Sequence, residues 1–256
     1  MISRLLLRRS VAHGPVALMY HAIDTPGDRS ESPWSLPRKL FADHLRMLRD
    51  EGFIAHTVDA LPRGQPGRHV AITFDDGYHN NLMAAESLEA VGLPGTFFVV
   101  SASIGRAPHW HDADGPRDAI MDATALHELS TRGFEIGSHG ERHERLTQLS
   151  AAQVQTSLEV SRRELASIVG RPVVSLAYPY GEWNAEILAA AERAGYRNAC
   201  TTQSGWALRD GNRLRIRRLS VMREDTPARL ARKLALAANA VDWVTLCRQR
   251  LGARGL

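Results

Sequence analysis

The chain has 256 residues, of which 44% are hydrophobic and 23% charged, enough apolar material for a large folded core and too much for a disordered chain. Its formal net charge is +4, and the basic residues are dispersed except at the two ends and in Arg213 to Arg218, a run read as solvated surface, so no nucleic-acid partner is expected. Cys200 and Cys247 lie far apart with no Cys-x-x-Cys spacing, which excludes a disulfide framework and a thiolate zinc site.

The opening residues, Met1 to Arg9, hold too short an apolar run for a signal-peptide core, and no run reaches the roughly 18 residues needed to span a bilayer. A cytoplasmic location is therefore expected. The arginines around Leu5, Leu6 and Leu7 leave room for peripheral contact with an anionic membrane surface. Oligomeric state and chain partners are not legible.

Val16 to Tyr20 is an apolar run that stops at His21 and predicts a buried strand. After a polar loop, Ser35 is expected to cap a helix with Pro37 in its first turn and Leu40, Phe41, Leu45 and Leu48 as its apolar stripe, ending near Gly52. Ile54 to Val58 predicts a second strand, and Pro62 to Gly67 a turn. Val70 to Phe74 predicts a third, which ends abruptly in Asp75, Asp76 and Gly77. A helix from about Asn80 to Val91 and a strand from Thr96 to Val100 follow. The loop through Trp110 and Gly115 is unusually long, so His109, Trp110 and His111 are a candidate substrate rim.

Asp122 is expected to cap a short helix ending near Gly133, after which Phe134 to Gly137 leads into Ser138 and His139. Ser150 and Gln153 form a capping-box pattern for a helix reaching Gly170. Val173 to Ala177 predicts a strand, Asn184 to about Ala194 a helix, and Asn198 to Thr202 and Leu214 to Val221 the last strands. Thr226 and Pro227 open a helical tail expected to continue past Trp243. The alternation predicts an α/β fold with a parallel sheet, and seven or eight units suggest a barrel. One domain is expected over residues 1–256, with its core at about 14–222 and the tail at about 226–256.

Polar residues stand where the apolar runs stop. His21, Asp75 with Asp76, His139 and Tyr180 all do so, and the C-terminal strand ends of a parallel barrel converge on one rim. Adjacent carboxylates after a buried run are costly unless a cation or a catalytic duty compensates them; a helix N-cap is the plain alternative. His139 and His143 share one face if their segment forms a helical turn. With a neighbouring carboxylate they make a two-histidine, one-aspartate metal site with open positions. Trp183 and Trp206, near strand ends, suit core packing, with groove lining as the alternative; Cys200 is expected to pack as a small hydrophobe and Glu141 to face water.

Thr73-Phe74-Asp75-Asp76-Gly77, Ser138-His139-Gly140-Glu141-Arg142-His143 and Ala177-Tyr178-Pro179-Tyr180-Gly181, in this order, resemble the signature motifs of the polysaccharide deacetylase (NodB-like) family, carbohydrate esterase family four. The resemblance implies a distorted (β/α) barrel and metal-dependent removal of acetyl groups from sugars. It assigns Asp76, His139 and His143 to a divalent metal, with zinc first and nickel, cobalt or iron also suited to these donors. It assigns Asp75 to the general base, and the backbone N–H of Tyr180 to the oxyanion.

Two positions depart from the pattern. Ala177 stands where many members carry an arginine that orients the base, and no histidine follows His143 to supply the usual late acid. Leu18-Met19-Tyr20-His21 resembles the early Met-Tyr-His segment of the circularly permuted poly-N-acetylglucosamine deacetylases, which assigns the general acid to His21. The implied reaction is hydrolysis of an N-acetylated sugar or polysaccharide with release of acetate. An O-acetyl esterase, a deacylase of non-sugar amides and an inactive glycan-binding relative stay open on the same residues.

Overall fold

Apolar runs spaced along the sequence become the staves of one parallel sheet. The computed structural model describes residues 14–24, 32–65, 67–110 and 118–241. The expected membrane-contacting residues 1–9, His111, Trp243 and Cys247 lie outside these ranges. The strands are β1 (Val16–Tyr20), β2 (Ala22–Asp24), β3 (Ser35–Pro37), β4 (Ile54–His56), β5 (His69–Phe74), β6 (Thr96–Val99), β7 (Glu135–Ser138), β8 (Ser175–Ala177), β9 (Asn198–Cys200) and β10 (Leu219–Ser220). Between and after them lie helices α1 (Arg38–Asp50), α2 (Asn81–Glu89), α3 (Ala123–Thr131), α4 (Ala151–Val169), α5 (Ala185–Arg193) and α6 (Pro227–Leu236).

The main sheet runs β10-β1-β5-β6-β7-β8-β9, and β4 shares one edge of β5 with β6. Its pairings are all parallel. A parallel bridge between Cys200 and Ile216 carries the segment before β10 against β9, so the two ends of the sheet meet in a distorted (β/α) barrel. Strands covered on both faces read as continuous apolar runs, as β1 and β5 do.

The period-two alternation separates two apolar clusters. Val16, Leu18, Tyr20, Val70, Ile72 and Phe74 face the helices, where Phe74 stacks on Tyr20 at 5.5 Å and on Phe97 at 4.7 Å between ring centroids. Ala17, Ala71, Phe98, Ala177, Cys200 and Ile216, with Val58, Leu61 and Ala207, make the second cluster. Small residues keep that interior narrow, and Phe98 fills it. Along β5, Ala71 and Thr73 take this inward face, so Asp75 continues it.

Three local expectations are corrected. Ser35 is not a helix cap: it begins β3, pairs with Ala22, and donates its hydroxyl to the buried carboxylate of Asp24, which has first claim on it. Helix α1 therefore starts at Arg38 without a side-chain cap. The expected strand from Leu214 to Val221 is split into a 3-10 turn at Arg213–Arg215 and the two-residue β10. Helix α6 is capped by Thr226 but stops at Leu236, where Ala237 turns left-handed at φ 47°, instead of running on toward Trp243. Among the described residues, no helix is long and apolar enough to cross a membrane.

Gly137 shows how tightly the staves before the site are packed. A Cβ there would lie 2.5 Å from the Phe98 ring and 3.0 Å from the carbonyl oxygen of Ser175. Gly137→Ala is expected to cost about 1–3 kcal/mol, because a buried ring and a neighbouring strand must both give way. A thermal or urea melt showing wild-type stability would contradict this packing.

Candidate metal centre

Strand β5 stays paired to its end, where the N–H of Asp75 donates to the carbonyl of Tyr20 at 2.9 Å. The backbone then breaks, with Asp76 at φ 72° and Gly77 at φ 84°. This turn separates the environments of the two carboxylates. Neither is a helix N-cap: α2 begins only at Asn81, with Asn80 in the cap position.

Asp76 faces two imidazoles. Its Oδ1 is 3.4 Å from Nε2 of His139 and 3.4 Å from Nε2 of His143. His139 follows β7 directly, and its Nδ1 is 2.8 Å from the carbonyl of Ala177. A carbonyl only accepts, so Nδ1 carries the proton and Nε2 presents its lone pair to Asp76. The expected helical turn from His139 to His143 does not form. Gly140 at φ 76° and His143 at φ 55° instead loop the chain back, which brings the second imidazole in from a non-helical segment.

One donor atom from each of Asp76, His139 and His143 lies within 4.8 Å of the others, and all three residues are buried. Oδ1 of Asp76 is buried with no hydrogen-bond partner, although two imidazole nitrogens face it. A buried carboxylate oxygen left so is costly, and a shared cation satisfies all three donors at once. Two nitrogens and one carboxylate oxygen suit a borderline divalent metal.

Asp75 is held by a different partner. Arg218, fully buried at 0% exposure, grips it with Nη1 to Oδ1 at 2.6 Å and Nη2 to Oδ2 at 2.6 Å. The guanidinium also donates to Thr73 Oγ1 at 3.1 Å and to the carbonyl of Thr201 at 3.0 Å, and lies over the Phe98 ring at 5.6 Å. Arg218 is thus no part of a solvated basic surface, which corrects the reading of the run that contains it. Burial pushes Asp75 toward its neutral form, but Arg218 and then His139 outweigh burial and hold the carboxyl below the ordinary carboxylate range. Burial likewise opposes the charge on Asp76, and the facing imidazoles of His139 and His143 outweigh it and hold the carboxyl well below that range. For His139 burial is outweighed by Asp75 and Asp76, and its pKa rises; for His143 burial prevails and lowers it.

The other sequence-selected residues frame this cluster. His21 sits at the end of β1; burial lowers its pKa against the opposing fields of Asp76 and Asp75, and its ring packs on Trp34 at 4.6 Å. Trp110 lies flat on His143 at 4.7 Å and 20°, and Tyr180 meets the same imidazole edge-on at 4.6 Å. Tyr180 is itself left-handed at φ 59°, is 40% exposed, and carries Arg145 over its ring at 3.9 Å. Trp183 and Trp206 pack half-buried against the core, Glu141 pairs with Arg142, and Cys200 is a buried free thiol whose pKa burial raises to about 12.

The sequence profile of the polysaccharide deacetylase family matches residues 63–199. YxkH of Bacillus subtilis (strain 168), which bears a polysaccharide deacetylase name, is 30% identical over 214 residues, covering 80% of this chain and 70% of that protein. The structure of the Streptococcus pyogenes deacetylase PplD in complex with acetate superposes with a TM-score of 0.71 at 24% identity, covering 85% of this chain and 96% of PplD. IcaB from Ammonifex degensii gives 0.70 at 24% identity, over 89% of this chain and 98% of IcaB. At these identities the two structures establish the barrel fold.

The Asp75–Arg218 pair yields a stability test. Arg218→Met leaves a buried carboxylate without its cation and is expected to cost about 3–5 kcal/mol at neutral pH. Because the folded-state pKa of Asp75 is depressed, the pair's contribution is present above the unfolded carboxylate value and disappears as pH falls through the folded one. The gap between wild type and variant in denaturant melts should therefore close in strong acid. A constant gap across that range would count against the pair.

Proposed function

The chain belongs to the polysaccharide deacetylase family, and on that premise we propose that it is a metal-dependent hydrolase releasing acetate from an N-acetylated sugar or polysaccharide. The carrying observation is the division of the adjacent carboxylates, with Asp76 facing two imidazoles and Asp75 locked on Arg218. In this reading Asp76, His139 and His143 hold a divalent cation, zinc first, with nickel, cobalt or iron as other fits. A bound cation there would polarise the acetyl carbonyl and make a water more acidic.

The chain's own groups then divide the proton work. Asp75 takes a proton from the water as its oxygen attacks the acetyl carbon, and Arg218 keeps that carboxylate ionised and aimed. The backbone N–H of Tyr180, on a turn fixed by its left-handed conformation, donates to the oxyanion. As the carbon–nitrogen bond breaks, His21 in its imidazolium form gives a proton to the departing nitrogen, leaving acetate and a free amino sugar; exchange with water then removes the proton from Asp75 and returns one to His21. Ala177 supplies a carbonyl to His139, so the orienting arginine comes from beside β10 instead of from the third motif.

His21 favours N-acetyl over O-acetyl substrates, because an amine leaves poorly without a proton whereas an ester's alcohol needs it less. A binding-only relative would have no use for a base held in this way.

Asp75→Asn is expected to bind zinc stoichiometrically while losing acetate release, and His21→Ala to lower kcat by about 10²- to 10⁴-fold. Metal analysis with an acetate assay on N-acetylated oligosaccharides checks both, and full activity in either variant removes the role assigned to that residue. Arg218→Lys keeps a charge but not the two-pronged grip. Burial then raises the pKa of Asp75, so the acidic limb of the kcat profile should move to higher pH. An unmoved limb would show that another group serves as base.

A further inference from the structure

Among the described residues three large hydrophobic side chains are exposed: Trp34, Ile54 and Tyr180. Two of these three stand against histidines of the candidate site, Trp34 on His21 and Tyr180 on His143. Ile54 begins β4, at the opposite end of the sheet's staves. Trp34 is 36% exposed, lies outside all three signature motifs, and precedes β3.

The backbone that carries Trp34 is fixed by a polar frame. Its carbonyl accepts from the N–H of Ala22 at 3.2 Å, and its N–H donates to Ser32 Oγ at 3.3 Å. On either side, the N–H of Arg223 donates to the carbonyl of Pro33 at 2.9 Å, and Nη1 of Arg223 donates to the carbonyl of Ser35 at 2.7 Å. The same Nη1 meets the buried carboxylate of Asp24 at 2.6 Å, which also accepts the Ser35 hydroxyl. Two strands that pair only with each other, and an arginine from just beyond β10, thus hold one aromatic ring at the mouth of the barrel.

A half-exposed indole costs solvation, and a polar frame around its backbone does nothing to hide it. An aromatic ring with a fixed backbone beside a proton donor is what a ligand with an apolar face requires, because stacking area is gained with little ordering entropy. Pyranose rings have such faces, formed by their axial C–H groups. We propose that Trp34 is a substrate-positioning residue, the platform on which a pyranose ring of the acetylated glycan stacks beside His21. The inference rests on the deacetylase reading above, and it adds a specificity contact outside the three signature motifs.

The test uses the full chain loaded with zinc and tetramers of N-acetylglucosamine, β-1,4- and β-1,6-linked, with Trp34→Leu and Trp34→Phe as paired variants. Leucine keeps apolar bulk without an aromatic face, and phenylalanine keeps the face. Trp34→Leu is expected to raise KM at least about tenfold, with a smaller change in kcat, while Trp34→Phe stays within about threefold of wild type. In an Asp75→Asn background, where turnover plays no part, calorimetric titration with the same tetramers should show the same loss for leucine and the same rescue by phenylalanine.

Unchanged KM and binding in Trp34→Leu, or equal damage in both variants, would overturn the platform while leaving the deacetylase reading intact. If wild type releases no acetate from either tetramer and the Asp75→Asn protein binds neither, the N-acetylglucosaminide reading falls and the platform falls with it.

Discussion

The two-pronged contact between Arg218 and Asp75 is the constraint on which the rest of the site depends. Two neighbouring carboxylates at the end of a buried strand repel each other and lose hydration, and the fold resolves this by giving each its own cationic environment. Asp75 continues the inward face of β5 and meets a guanidinium inside the barrel. Asp76, turned away by its left-handed backbone, meets the imidazoles. With Arg218 in place, Asp75 is ionised and unavailable as a further metal ligand. Without it, a buried carboxylate would take up a proton or compete for the cation proposed for its neighbour.

Local backbone strain follows the same division. Among the described residues four non-glycine positions have positive φ: Asp76, His143, Tyr180 and Ala237. Three of them belong to the candidate site, and each left-handed residue costs on the order of 1–2 kcal/mol. Such a concentration persists only where surrounding packing over-determines it. Here the packing is visible in the Trp110–His143 stack, the Tyr180–His143 edge contact and the close approach of Gly77 to Val99. The strain is what lets a carboxylate and an imidazole leave their segments in directions that regular structure would not supply.

The parts of the site that were legible in the sequence are those carried by short contiguous patterns. Asp75, Asp76 and His139 sit at the ends of apolar runs, His143 follows His139 at a readable spacing, and the strand order that brings them together follows from strand–helix alternation. Arg218 was not legible, since it lies far along the chain in a run of arginines that reads as solvent-facing. Only the barrel's closure through Ile216 turns it inward. The helical turn expected between His139 and His143 fails for a local reason, because Gly140 and His143 take backbone angles that no helix continues. Ser35 fails for a non-local one: a helix cap and a buried carboxylate compete for one hydroxyl, and the carboxylate, deprived of water, gains more from it.

The family match covers residues 63–199, which includes β5 and β7 with every proposed metal donor but excludes both β1 and β10. Those two excluded strands pair with each other, Leu18 opposite Leu219 and Met19 opposite Ser220, and the whole of β1 pairs with β5 from Val70 to Phe74. His21 and the platform indole follow β1, and Arg218 immediately precedes β10. The recognisable segment therefore carries every proposed metal donor, while the flanking strands bring the proposed acid and the arginine that holds the proposed base. Strand β5 is the seam, with one carboxylate for each half. Cation binding and proton transfer would then depend on different lengths of chain, joined along β1 and β5, through the Arg218–Asp75 contact and by the closure of the barrel. In the proposed reaction, deacetylation, unlike metal binding, would need both halves in register, because the proposed base, held from beside β10, and the proposed acid, carried by β1, would have to meet one acetamide.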